Sequence, residues 1–255
     1  MMPLKESYIN GQACWVENCT ELELSKHFYA ELFNWQYEEI VPGDPAFLKA
    51  TLGGNTVAAL RQKAAEPSFW NLHFSVENIE EATRLIVDAG ARVEASDEII
   101  SHYASRATFT DTLGAQFSIW QKNTLAGFQE VNSPGAFCWA ELCTNNFPAS
   151  NDFYCSAMQW DTVAGTHDVM DYSVFKSNGK TIAGSMRTPP TLSSHVESFW
   201  GVYFMVHDSD KTARAVEQLG GEILIQPMDI PEGRFAMCRD TSGSIFNVLA
   251  IAAKN

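Results

Sequence analysis

Phe137-Cys-Trp-Ala-Glu-Leu-Cys-Thr144 nearly repeats an earlier segment, Ala13-Cys-Trp-Val-Glu-Asn-Cys-Thr20. Other segments return in the same order. Phe28-Tyr29, followed by Trp35, returns as Phe153-Tyr154, followed by Trp160. Gly54-Asn-Thr-Val-Ala58 returns as Gly179-Lys-Thr-Ile-Ala183, and Ser68-Phe-Trp70 as Ser198-Phe-Trp200. Asp111-Thr-Leu-Gly114 returns as Asp240-Thr-Ser-Gly243. The copies lie about 125 residues apart. Ordered self-similarity at so long a spacing marks a tandem duplication. The expected first domain covers residues 8–124, a linker 125–133, and the second domain 134–255. Asn132-Ser-Pro-Gly135 supplies turn chemistry at the join.

Composition agrees with two packed domains. The chain has 255 residues, 45% of them hydrophobic and 19% charged. That apolar content supports a sizeable core and argues against disorder. Lys and Arg number 17 against 31 Asp and Glu, a formal charge of −14. Phosphate and anionic-lipid surfaces attract clustered cations, so neither nucleic acid nor membrane is an expected partner. Residues 1–8 lack an apolar signal region, and no run of about 18 apolar residues occurs. Six cysteines show no metal-binding spacing, and a reduced, cytoplasmic protein is expected.

Each repeat reads as a fixed series of elements. A strand over 13–19 leads into a helix whose apolar face carries Leu24, Phe28 and Leu32. Glu21 and Glu23 suit the positive end of that helix, and Asn34 marks its end. A hairpin turns at Gly53-Gly54, and a strand over 69–76 follows. Asn78 caps a second helix that stops at Gly90. Strands are expected over 92–95, 103–110 and 115–121. The chain thus carries four βαβββ modules, an α+β architecture of curved mixed sheets with helices on their outer faces.

This module order, the Phe-Tyr…Leu-Phe-x-Trp helix and the closing Asp-x-x-Gly strand resemble the vicinal oxygen chelate superfamily. That superfamily includes glyoxalase I, type I extradiol dioxygenases, fosfomycin-resistance enzymes and bleomycin-binding proteins. Asn132-Ser-Pro-Gly-Ala-Phe-Cys-Trp-Ala-Glu141 is similar to the join of its tandem, glyoxalase-like or hydroxylase-like members. The resemblance implies paired modules whose sheets curve into cups. In active members it also implies a divalent metal, held by His, Gln or Glu on the first, fourth, fifth and eighth strands.

Carried over residue by residue, those ligand positions fall on Trp15, Asn71 and Ser118 in the first cup, and on Trp139, Gly201 and Asn247 in the second. An indole offers no lone pair to a cation, and glycine has no side chain. The expected fourth and eighth strands contain no His, Asp or Glu. The reading is therefore no metal site and no cofactor. Strand alternation adds Glu17, His73 and Trp120 to the first floor and Glu141, Tyr203 and Leu249 to the second.

The expected ligand-binding residues are thus Trp15, Asn71, Ser118, Trp120, Trp139, Tyr203 and Asn247. Glu17, His73 and Glu141 are the catalytic candidates. A carboxylate near His73 would raise its imidazole pKa. A Trp beside a carboxylate suits a cationic or aromatic small molecule. Cys14 and Cys138 are expected to face away from the cups. His27, His102, His167, His195 and His207 read as surface or loop residues, and Arg234 as a solvated loop residue.

Three functions follow. The first is a metal-free, glyoxalase-like protein of unassigned reaction that binds a small molecule in one or both cups. The second is a metal-dependent glyoxalase- or hydroxylase-like enzyme using Glu17, Glu141 and His73. The third is a structural or interaction protein with collapsed cups. A monomer or a homodimer is expected.

Overall fold

The computed structural model describes residues 5–41, 43–44, 46–63, 68–164, 172–188, 192 and 197–252. His167 and His195 lie outside the described residues. The first half runs β1 (Ala13–Thr20), α1 (Leu22–Phe33), β2 (Gln36–Glu39), β3 (Phe47–Leu52), β4 (Asn55–Gln62), β5 (Phe69–Ser75), α2 (Ile79–Asp88), β6 (Arg92–Ile100), β7 (Ala104–Thr110) and β8 (Gln116–Lys122). The second repeats it as β9 (Phe137–Thr144), α3 (Phe147–Met158), β10 (Asp161–Ala164), β11 (Tyr172–Ser177), β12 (Lys180–Arg187), β13 (Phe199–Met205), α4 (Ser209–Gln218), β14 (Glu222–Ile230), β15 (Gly233–Arg239) and β16 (Ile245–Ile251). Among the described residues, no helix is long and apolar enough to cross a membrane.

Local chemistry sets the helix ends. The Glu21 carboxylate accepts from the Leu24 N–H at 2.9 Å, and the Asn78 side chain accepts from Glu81 N–H at 3.0 Å. Each satisfies a donor that the first helical turn leaves open. Asn34 ends α1 at φ 59°, a left-handed conformation that asparagine tolerates. β6 extends beyond the expected strand, to Ile100, through two irregularities in its pairing with β7. The polar run Ser96-Asp-Glu hid it: Ser96 is exposed on this edge strand, and Glu98 is held by Arg106 at 2.9 Å.

Each half forms one eight-stranded mixed sheet, in the order β2-β3-β4-β1-β5-β8-β7-β6 and β10-β11-β12-β9-β13-β16-β15-β14. β1 lies parallel to β4 and antiparallel to β5, and β5 lies parallel to β8. Modules therefore pair within a half. The residues sharing a cup come from one domain, which the sequence left open.

The helix-bearing outer faces of the two sheets turn toward each other. α2 packs on α3, α1 meets α4, and β5 lies against β13. Most of the motifs that revealed the duplication work at this junction. Trp70 donates to the Tyr29 hydroxyl at 3.0 Å, and Tyr29 donates to Asp240 of the other half at 2.8 Å. Reciprocally, Trp200 donates to Tyr154 at 2.8 Å, and Tyr154 donates to Asp111 at 3.1 Å. The second oxygen of each aspartate accepts two backbone N–H groups, one from its own Asp-Thr-x-Gly turn and one from the residue just after it. Buried polar groups need such partners, and these are satisfied in a relay from indole to phenol to carboxylate. Around them, Phe33 lies tilted against Phe204 at 5.2 Å, and Phe74 meets Trp160 and Trp200 edge-on at 5.0 Å. Burying rings of this size is worth about 1.5–3 kcal/mol each, so the junction belongs to the core.

Candidate functional site: two cups of different content

The faces opposite the helices form the cups. In the second, a cavity of about 810 Å³ is lined by Trp139, Glu141, Tyr172, Tyr203, Phe235 and Leu249, among others. A volume of this order accommodates a drug-sized molecule. β9 supplies Trp139 and Glu141, alternate residues of one strand that therefore share a face. β13 brings Tyr203, paired directly with Trp139 and with Asn247.

Tyr203 donates its hydroxyl to Glu141 Oε2 at 2.5 Å. Tyr172, on β11, also bonds to Glu141 and accepts from the Trp139 indole. Burial, then the neighbouring Glu141 charge, pushes both phenols above the usual tyrosine range. They stay protonated and donate. Gly184 makes room for this group: a Cβ there would sit 2.7 Å from the Tyr172 oxygen and 2.8 Å from Glu141 Oε1. Cys138 also lines the cavity, against the expectation that it faces away. The pairing of β13 with β9 slips at this point, which breaks strict alternation. Burial pushes the Cys138 thiol up to about 12, so it is neutral and a poor nucleophile.

The first cup has the same backbone and different contents. Trp15, Glu17, Asn71, His73, Ser118 and Trp120 are each 3% exposed or less. Glu17 accepts from Arg61 Nε at 2.7 Å and from Arg106 Nη1 at 2.9 and 3.0 Å. Burial alone would raise the Glu17 carboxyl, but Arg106 and then Arg61 outweigh it and hold it at about 2.

His73 departs from its expectation. Burial outweighs the Glu17 charge, the two arginines add to burial, and the imidazole falls to about 3. It is a neutral, enclosed histidine whose ring nitrogens have no hydrogen-bond partner among the described residues. Asn71 donates to Ser118 at 2.8 Å, and Ser118 exchanges a 2.8 Å bond with Thr108. Trp120 stacks on Trp15 at 5.8 Å, and Phe128 from the linker covers Trp15 at 5.9 Å. Phe128 is tied down by its N–H to Cys14 O at 2.8 Å and by Tyr8, which donates to its carbonyl at 2.8 Å. A side chain at Gly127 would collide with the Cys14 carbonyl, so the linker can approach β1 this closely only through glycine.

The candidate residues thus gather as two groups on two cup floors. Trp15, Glu17, Asn71, His73, Ser118 and Trp120 sit in the closed cup. Trp139, Glu141 and Tyr203 line the open one, and Asn247 lies beside them, with its amide donating to Val202 O at 3.4 Å. Arg61, Arg106, Phe128, Tyr172 and Gly184 were missed. Arg106, the one charged residue of β7, was the available signal for a buried partner of Glu17. Arg234, expected on a solvated loop, lies on β15, where its side chain is 37% exposed and is held by Asp210 at 2.6 Å and Asp229 at 3.0 Å.

The residues at the implied metal positions offer two indoles, two amides, a hydroxyl and a glycine. A Cβ at Gly201 would lie 3.0 Å from Asn247 Nδ2. Among the described residues, no group of three or more His, Cys, Asp or Glu could hold a metal ion. Such a donor set does not fit the divalent cation.

The sequence profile of the Glyoxalase/Bleomycin resistance protein/Dioxygenase superfamily matches residues 16–119 and 136–248. The chain belongs to that superfamily. It is 33% identical over 265 residues to the Mycobacterium tuberculosis protein named "Putative glyoxylase CFP32", covering 97% of this chain and 98% of that one. It is 27% identical over 260 residues to "Anthracycline biosynthesis protein DnrV" of Streptomyces peucetius, covering 94% of each. Among solved structures, the Mn(II)-bound glyoxalase from Novosphingobium aromaticivorans aligns with a TM-score of 0.66 at 14% identity, over 94% of this chain and 82% of that one. The 2,3-dioxygenase LapB from Pseudomonas sp. KL28 aligns with a TM-score of 0.65 at 12% identity, over 96% and 94%. At such identities the likeness shows the fold alone, here tandem glyoxalase-type domains.

Proposed function

We propose that this protein binds a small organic molecule in its second cup, without the superfamily's divalent metal, and that its first cup is a closed scaffold. The single observation behind this reading is the asymmetry: a cavity of about 810 Å³ beside Trp139 and Glu141, against a first floor filled by side chains. Any proton transfer would fall to Glu141, since Glu17 is held between two guanidinium groups and His73 is enclosed. Six free thiols suit a reducing, cytoplasmic setting.

The test begins with elemental analysis of untagged protein and a thermal-shift screen of small organic compounds. Both are repeated on Leu249→Trp, which places in the second cup the residue that Trp120 supplies to the first. The expected result is no stoichiometric metal and a set of compounds that stabilise the wild type but not the variant. Stoichiometric Mn, Fe, Ni or Zn, or stabilisers indifferent to Leu249→Trp, would overturn the reading.

A further inference from the structure

The duplication lets one half of the molecule stand as a guide to the other. In the first cup the Trp15 indole carries an aromatic ring of the chain itself. Phe128, fully buried, lies 5.9 Å from it at 35°. Trp120 stacks on Trp15 at 5.8 Å and 27°. The equivalent indole of the second cup, Trp139, borders the open cavity, and Leu249 stands in the place of Trp120.

The neighbouring carboxylates differ in the same way. Glu17 is met by N–H donors from Arg61 and Arg106. At the two corresponding strand positions the second cup has Met186 and Phe235, both lining the cavity. Glu141 takes phenolic donors from the wall instead. A carboxylate accepts at about four lone-pair sites, so it can take a further donor beside two phenols.

We infer that the ligand of the second cup is a flat aromatic ring system bearing a hydrogen-bond donor: the ring lies against Trp139 as Phe128 lies against Trp15, and the donor reaches Glu141. This inference rests on the proposal that the second cup binds a small molecule, and it adds the chemical class. Trp139 and Glu141 lie two residues apart on one strand, about 7 Å along it. One fused-ring molecule with a donor at its edge can therefore meet both. The wall residues Val174, Met186, Phe235 and Leu249 exclude water from its faces.

Calorimetric titration of the full chain with three probes tests the class. These are 2-naphthol, its saturated counterpart decahydro-2-naphthol, and 2-methoxynaphthalene, which keeps the rings and loses the donor. The expected result is that 2-naphthol binds at least tenfold more tightly than either. Trp139→Leu should remove the advantage over the saturated alcohol, and Glu141→Gln should shrink the advantage over the methyl ether. Equal or tighter binding of decahydro-2-naphthol or 2-methoxynaphthalene overturns the inference, as does the absence of saturable binding by 2-naphthol at millimolar concentration. The wild-type ratios decide even if a variant fails to fold. If library compounds still bind in a Leu249→Trp-sensitive manner while these ratios fail, the class is wrong and the binding reading stands. If no compound is sensitive to Leu249→Trp, the binding reading itself falls.

Discussion

The two cups share a Trp-x-Glu strand and differ in what meets the glutamate. In the first, Arg61 and Arg106 neutralise Glu17. In the second, Met186 and Phe235 occupy those places, while Tyr172 and Tyr203 hold Glu141. A buried carboxylate is tolerated only with donors to compensate its lost hydration. Two guanidinium groups fill the space as well as supplying the charge, so the first floor closes. Two phenols placed at the wall leave the centre open. The same backbone thus gives a structural ion cluster in one half and a cavity in the other. The difference lies in a handful of side chains on neighbouring strands.

The largest effect should come from removing a cation of the closed cup. Arg106→Met leaves Glu17 enclosed with one partner fewer, and a loss of about 3–5 kcal/mol is expected. A thermal melt should show a fall on the order of 10 °C; an unchanged melting temperature would mean the ion cluster carries no stability. Next, Phe128→Ala removes the ring that covers Trp15 and should cost about 3 kcal/mol. Tryptophan emission should become quenchable by acrylamide in proportion, and a variant quenched no more than wild type would break the idea of a plug.

Acid should loosen the first cup specifically. The folded-state pKa values of His73, about 3, and Glu17, about 2, both lie below their ordinary values. The unfolded chain therefore takes up protons first. Stability is complete above about pH 6.5 and falls as the pH drops, first through the histidine range and then below about 4.5. Between pH 7 and 5 the His73 contribution is on the order of 2 kcal/mol. Urea denaturation of His73→Gln should lose this slope, and an equally steep variant would assign it elsewhere. The smallest effect is expected in the open cup. Tyr203→Phe removes one donor to Glu141 and should cost about 1.5 kcal/mol in chemical denaturation. A loss as large as that of Arg106→Met would mean that both floors are equally structural.

Much of the architecture was legible. The paired motifs announced the duplication, and Asn34, Asn78 and Gly90 marked helix ends where they were expected. The shared cup face of Trp139 and Glu141 followed from strand alternation. The partners of Glu17 did not, because Arg61 lies 44 residues away and Arg106 lies 89 residues away. Such contacts depend on which strands become neighbours, and local pattern carries no record of that. Cys138 borders the cavity beside a pairing irregularity that has no sequence signal. The repeated tryptophans were ambiguous too. Trp70 and Trp200 serve the junction between halves, whereas Trp15 and Trp139 serve the cups.

The module, its duplication and the element order are written in the chain, because they rest on periodicity, capping and turn chemistry within a few residues of each other. So are the residue types that stand at the metal positions. The pairing of modules within each half, the meeting of the helical faces at a shared aromatic core, and the closing of one cup beside an open one emerge only in the folded molecule. Those outcomes depend on strand order and side-chain volume across the sheet. There, residues far apart in the chain compete for one buried space.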